Sequence, residues 1–182
     1  MKTIYLLLTR SNTLVARAIR ALTGDYFTHV SVGVDPALKE FYSFARLHPR
    51  TPLPAGFVRE SIGGGYFARH GSMICALYAL DVPDEVFARI EARLDAMRGA
   101  GYRYSVMGLL LCRLDWPVER ERHMFCSQFV GRLMEECGAM ALPKPPSLMR
   151  PADFASLPGT RRIYFGELRG AAEAGCAEEG FA

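Results

Sequence analysis

The sequence predicts an α+β fold in which an antiparallel sheet packs against helices. Short apolar or alternating segments indicate strands, and longer segments with helical periodicity lie between them. Asp35-Pro36 separates two of the strand-like segments, as a hairpin loop would. The chain has 182 residues, half of them apolar, which is enough for one sizeable core. We therefore expect one domain over residues 1–168 and a flexible, acidic C-terminal tail over 169–182.

Six segments are predicted as strands. Thr3–Thr9 contains an apolar run typical of a buried strand, whereas Thr28–Val34 alternates, with His29 beside small residues on one face and three valines on the other. Glu40–Arg46 returns after a loop of about five residues and completes an antiparallel hairpin. The remaining predicted strands are Phe57–Ser61, Met73–Val82 and Arg162–Leu168.

Helical periodicity predicts four longer helices. One spans Thr13–Leu22, and a second begins at Pro83-Asp84 and reaches Arg98 with an apolar face. Ser105–Leu114 is so rich in apolar residues that it predicts a buried helix. Phe125–Cys137 is the next helix and ends at Gly138. A Pro-rich extended stretch and one helical turn follow, over Leu142–Pro151 and Asp153–Leu157.

Charge and cysteine content exclude several function classes. The 22 basic and 19 acidic residues give a net charge of +3, which does not require a nucleic acid partner. No stretch approaches the ~20 apolar residues of a membrane span, and the first apolar run is too short for a signal peptide. The five cysteines are odd in number and lack a C-x-x-C pair, so disulfides and structural zinc are not expected. We expect a cytoplasmic protein that does not insert into membranes.

Cys126 is the candidate nucleophile because it opens a predicted helix. Unpaired N–H groups and the positive end of the helix dipole favour a thiolate there. The backbone N–H of Cys126 or of Ser127 could also face a developing oxyanion. The competing interpretation is a core cysteine, because Cys126 shares one helical stripe with Val130 and Leu133.

His29 is the candidate base, since the valines of its strand should face the core and leave the imidazole toward a cleft. Tyr42 or Ser43 on the returning strand could orient it, and the register decides which of the two. Tyr104 lines the site or only caps the helix that follows. No metal or other cofactor is expected, because the histidines and cysteines show no metal-ligand spacing.

A long connection, residues 48–71, holds three prolines and three consecutive glycines at 63–65. Connections of this length inside a compact domain are usually functional. The glycines lack both phosphate-loop patterns, so a lid or hinge and a simple connector both remain open. We expect the connection to shape or cover the site.

The order of these motifs resembles a known family. Thr28–Ser31 (THVS) precedes Phe125–Val130 (FCSQFV), Tyr104–Gly108 lies between them, and two Pro-rich segments follow, Pro143–Ser147 and Pro151–Phe154. This arrangement resembles the permuted, YiiX-like branch of the NlpC/P60 papain-like superfamily, in which the His strand comes before the Cys helix. The resemblance covers roughly residues 1–168 and implies a circularly permuted papain-like fold.

The resemblance also implies a chemistry, which is hydrolysis or transfer at an amide or ester carbonyl, as in a cysteine peptidase or amidase. Cys126 would be the nucleophile and His29 the base. The family's third polar residue falls near Tyr42–Ser43, where many relatives carry His, Asn, Gln or an acid. The expected site residues are therefore Cys126, His29 and Ser43 for catalysis, and Tyr42, Tyr104 and Ser127 for substrate binding.

Three functions remain open at this point. The first is an enzyme that cleaves a peptide or amide through an acyl-thioester. The second is a thioesterase or acyltransferase that acts on a lipid ester. The third is a catalytically inactive module that binds a peptide or lipid in the same cleft, which a weak third catalytic residue would favour.

Overall fold

An eight-stranded sheet is the centre of the computed structural model, which describes residues 1–11, 17, 20, 24–46 and 55–171, without the side chains of Arg46 and Tyr66. The strand order is β7-β6-β4-β3-β2-β1-β5-β8. Only β6 and β7 pair in parallel, and all other neighbours are antiparallel. The strands are β1 Lys2–Thr9, β2 His29–Gly33, β3 Phe41–Arg46, β4 Ala55–Glu60, β5 Ile74–Val82, β6 Arg103–Tyr104, β7 His123–Met124 and β8 Arg161–Glu167.

Helices flank this sheet, which confirms the α+β class. They are α1 Gly65–Arg69, α2 Asp84–Met97, α3 Val106–Arg113 and α4 Cys126–Glu136, with 3₁₀ turns at Pro146–Leu148 and Pro151–Ser156. The predicted strands and the later helices are recovered within a few residues. Apart from residues 17 and 20, the predicted helix over 13–22 lies outside the described residues, as do residues 47–54 of the predicted long connection.

Two cores lie on opposite faces of the sheet. The prediction that the valines of β2 face the core is confirmed, because Val30 and Val32 are fully buried in the larger core. The strand is not half-buried, however, since Ser31 and Gly33 on its other face are buried as well. That core also holds residues of α2 and α4. The smaller core contains residues of β1 and β5 together with Leu168 and Ala171. Packing therefore reaches into the start of the predicted tail, and residues 172–182 lie outside the described part of the chain.

Helix α4 is held between the sheet and the Pro-rich segment. Its apolar stripe, Phe129, Val130 and Leu133, is buried against the sheet. On another side, the Ser127 hydroxyl donates a hydrogen bond of 2.6 Å to the Met149 carbonyl oxygen. A Cβ at Gly131 would lie 3.1 Å from Leu142 Cδ1, so this residue lets the segment approach the helix closely. These contacts fix the position of Cys126 at the start of α4.

The prediction that Ser105–Leu114 forms a buried helix is wrong in its burial. The helix exists as α3, and the Ser105 hydroxyl accepts a hydrogen bond from Gly108 N at its start. Only one side of α3 packs on the protein. Its other side is apolar and more than half exposed, at Val106, Met107 and Leu110. An apolar composition alone therefore did not indicate burial, because the helix packs on one side through a glycine and a cysteine instead. No helix among the described residues is long and apolar enough to cross a membrane.

Candidate active site

A histidine–carboxylate pair forms the centre of the site. Nε2 of His29, the first residue of β2, lies 3.0 Å from Oε2 of Glu60, the last residue of β4. The two side chains are only 16% and 12% exposed. A carboxylate on Nε2 holds the ring orientation and leaves Nδ1 to act on another group.

Ser31 completes the polar group around the carboxylate. Its hydroxyl donates a hydrogen bond of 2.6 Å to the same Glu60 oxygen and lies 3.3 Å from His29 Nε2. Ser31 and His29 are two residues apart on β2, so the alternation of the strand places both side chains on one face. Ser31 is fully buried, and this contact therefore fixes the Glu60 carboxylate beside the ring.

The Cys126 side chain interacts with the same imidazole and affects its pKa. The pKa of His29 lies well above its ordinary value although burial acts to lower it, because the Glu60 carboxylate and a hydrogen bond with Cys126 outweigh that burial. Cys126 is buried and is the first residue of α4. Thiol, imidazole and carboxylate thus form one interacting set, and the protonated imidazole is its favoured form.

The start of α4 supplies hydrogen-bond donors next to the thiol. The first intrahelical bond runs from Phe129 N to the Phe125 carbonyl oxygen. The preceding N–H groups, including those of Cys126 and Ser127, therefore have no acceptor within the helix. Phe125 is in an extended conformation and gives no side-chain cap. These N–H groups carry the positive end of the helix dipole, which favours negative charge at this point.

Tyr104 pairs with the short strand that leads into α4. It is in β6, beside Met124 of β7, and α4 begins two residues after Met124. Burial and the neighbouring Cys126 raise the pKa of Tyr104 well above its ordinary value. The phenol therefore stays protonated and able to donate a hydrogen bond.

The structure places the other predicted residues elsewhere. The Ser43 hydroxyl donates a 2.7 Å hydrogen bond to the Val30 carbonyl oxygen, so it ties β3 to β2 instead of orienting His29. Tyr42 bonds Glu40 and Arg98 at the surface of the larger core. The Ser127 hydroxyl donates its hydrogen bond to the Met149 carbonyl oxygen and so does not offer it to a substrate. As a correction, Glu60 and not Ser43 is the group that orients the imidazole.

The sequence did not indicate Glu60, because the residue that orients His29 was expected on the strand paired with β2. The third residue instead comes from β4, one strand further along the sheet. In the observed register Glu60 lies opposite Phe41, at the end of the strand that the sequence predicts as Phe57–Ser61. A carboxylate at the end of that strand, ahead of the three glycines, was the available signal.

The other thiols and histidines within the described ranges are not part of this group. Burial raises the pKa of Cys75 to about 12 and is the main cause of the raised pKa of Cys112 and Cys137. His70 is exposed, and His123 bonds the Glu121 carbonyl oxygen. Among the described residues, no three His, Cys, Asp or Glu side chains come together as a metal site. His48 and Cys176 lie outside the described residues.

The His29–Glu60 pair predicts a pH-dependent stability. Because the pKa of His29 is raised on folding, its contribution is fully present below about pH 6.5 and is lost as pH rises through the folded value. Glu60→Gln should lower that folded pKa, so the stability advantage of the native chain over this variant should shrink as pH rises above 6.5. Each unit of pKa removed corresponds to about 1.4 kcal/mol. Urea unfolding between pH 6 and 9 measures the difference, and parallel curves for the two proteins would contradict it.

Comparison with known proteins leaves the geometry as the basis for a functional conclusion. No family model and no curated protein matches this chain.

Proposed function

We propose that this protein is a cysteine-dependent enzyme that hydrolyses or transfers an acyl group from an amide or ester. Cys126 is its nucleophile, His29 its base and acid, and Glu60 the residue that orients His29. The observation that carries the proposal is the His29 ring, which is held by Glu60 at 3.0 Å and interacts with the thiol at the start of α4. A nucleophile, a base and an orienting group within hydrogen-bond reach are the signature of covalent catalysis.

The first half of the reaction forms an acyl-thioester. In the starting state the thiol proton is already on Nδ1 of His29, and the Cys126 thiolate attacks the carbonyl carbon to form a C–S bond. The unpaired N–H groups at the start of α4 and the protonated Tyr104 phenol are the candidate donors to the resulting oxyanion. When the bond to the leaving amine or alcohol breaks, the imidazolium gives its proton to that group.

The second half releases the acyl group. His29 accepts a proton from water or from another acceptor, whose oxygen or nitrogen attacks the thioester carbonyl. The C–S bond then breaks and releases the Cys126 thiolate beside the protonated His29, which restores the starting thiolate–imidazolium pair. The Glu60 carboxylate stabilises the imidazolium each time it forms.

The proposal includes the circularly permuted papain-like arrangement that the resemblance implies. In support, the His strand precedes the Cys helix, and that helix packs on the sheet next to the His strand. The Glu60 carboxylate also removes the main argument for an inactive binding module. That argument rested on a hydroxyl as the third residue, and a carboxylate orients an imidazole more strongly.

Selective alkylation tests the proposed thiol. We expect iodoacetamide at pH 6.5 to label Cys126 ahead of Cys75, Cys112 and Cys137, because burial raises the pKa of those three thiols. His29→Ala should slow labelling of Cys126 at least tenfold by removing its partner. Peptide mass spectrometry gives the rate at each cysteine in one sample.

A model ester tests the chemistry itself. We expect p-nitrophenyl acetate to release a burst of nitrophenolate and to leave an acetyl group on Cys126, found by mass spectrometry after acid quenching. Cys126→Ala should lose both signals. An acetylated native chain that is deacetylated faster by added amines than by water would mark the protein as an acyltransferase. Absence of an adduct, with Cys126 labelled no faster than the buried thiols, would refute the enzyme.

A further inference from the structure

A row of aromatic and arginine side chains lies at one end of the sheet. The Arg10 guanidinium carbon is 4.6 Å from the centre of the Tyr26 ring, and that ring is 6.5 Å from the ring of Phe165. The guanidinium carbon of Arg162 is 5.8 Å from the Phe165 centre. Tyr26 is 45% and Phe165 54% exposed. Two rings and two cations thus form a continuous surface open to solvent.

This row lies at the same end of the sheet as His29. Arg10 directly follows Thr9, the residue opposite His29 in the β1–β2 pair. Phe165 pairs with Ala76, which belongs to the same core as Cys126, so the ring lies on the face of the sheet that α4 covers. Tyr26 precedes His29 by three residues. The row therefore lies at the end of the sheet where His29 begins β2, on the face that carries the larger core.

The two arginines keep their hydrogen-bonding capacity. Within the described part of the chain, neither Arg10 nor Arg162 has a carboxylate partner, whereas Arg59, Arg93, Arg98, Arg132 and Arg169 each have one. A guanidinium stacked on a ring still presents its N–H groups at the edge of the plane. Those groups match the paired oxygens of a carboxylate or phosphate.

We propose that Arg10, Tyr26, Phe165 and Arg162 form a subsite that binds an anionic oxygen group, carboxylate or phosphate, on the substrate of Cys126. This inference rests on the proposed function, because it assigns the subsite to the substrate of that thiol. The substrate class is then an amide or ester that carries a negative group beyond the scissile carbonyl. The exposed rings of Tyr26 and Phe165 pack against the part of the substrate that joins its negative group to its scissile carbonyl.

A pair of thiol reagents that differ only in charge tests the subsite. We expect 6-maleimidohexanoate to label Cys126 faster than its neutral amide. Arg10→Gln should lower that rate ratio about tenfold, the loss of one charge-assisted contact, without changing the rate of the neutral amide. Arg93→Gln is the matched control, since it removes one positive charge from α2, away from the row. An equal ratio in Arg10→Gln and Arg93→Gln would overturn the proposal.

Competition separates the two kinds of anion. Inorganic phosphate or acetate should slow the anionic reagent but not the neutral one, and the more effective competitor identifies the preferred group. If neither reagent labels Cys126, the enzyme proposal fails and the subsite is tested alone. In that case NMR follows the Arg10 Nε–H signal during titration with phosphate and with acetate. A saturable shift supports the anion site, and its absence overturns it.

Discussion

Replacing Glu60 by glutamine is expected to slow acylation of Cys126 about a hundredfold, the scale of a positioned general base. The amide keeps the size of the side chain but loses the charge that stabilises the imidazolium. It also presents an N–H group that competes for the orientation of the ring. The initial burst with p-nitrophenyl acetate gives the acylation rate directly. The loss of acylation rate in Glu60→Gln should be largest below the pKa of His29, where the His29–Glu60 pair of the native chain is charged.

Ser43→Ala is the matched control for that experiment. Its hydroxyl bonds a backbone carbonyl oxygen and not His29, so the acylation rate should stay within about twofold of the native rate. Its free energy of unfolding should fall by about 1 kcal/mol, because one buried hydrogen bond is lost. A hundredfold loss of rate in Ser43→Ala with a normal rate in Glu60→Gln would reverse the assignment of the third residue.

Phe129→Ala is expected to have the largest effect on stability. The Phe129 ring is fully buried, with its centre 5.3 Å from that of Phe44 on β3 and 5.5 Å from that of Phe57 on β4. Truncation of such a ring costs about 3–5 kcal/mol. Because these contacts seat α4 on the sheet, Cys126 should also react more slowly in the fraction that remains folded.

Chemical unfolding and Cys126 labelling together check this prediction. Phe165→Ala is the matched control, since that ring is more than half exposed and its loss should change the free energy of unfolding by no more than about 0.5 kcal/mol. A cost below 1 kcal/mol for Phe129→Ala would show that the helix is held mainly by other contacts, such as the Ser127–Met149 bond.

The sequence predicted those parts of the fold that depend on local pattern. The valine alternation of β2 and the apolar stripe of α4 set their own faces, and the structure has them as predicted. The partner of His29 could not be obtained in this way. It depends on the pairing of β3 with β4, which brings Glu60 across two strands, and no periodicity within β2 encodes that register. The predicted burial of α3 was wrong for the same reason, because the composition of a helix does not determine which of its sides packs against the rest of the protein.

The interacting thiol, imidazole and carboxylate come from β2, β4 and α4, three elements far apart along the chain. Ribosomal synthesis proceeds from the N-terminus, so His29 and Glu60 emerge well before Cys126. Bringing the thiol to them requires closing a long loop of chain. The entropy lost in that closure is offset only when the sheet and α4 pack together. In the enzyme proposed above, a growing or partly unfolded chain therefore carries an ordinary cysteine, and the reactivity of the thiol arises only when the sheet and α4 have packed together.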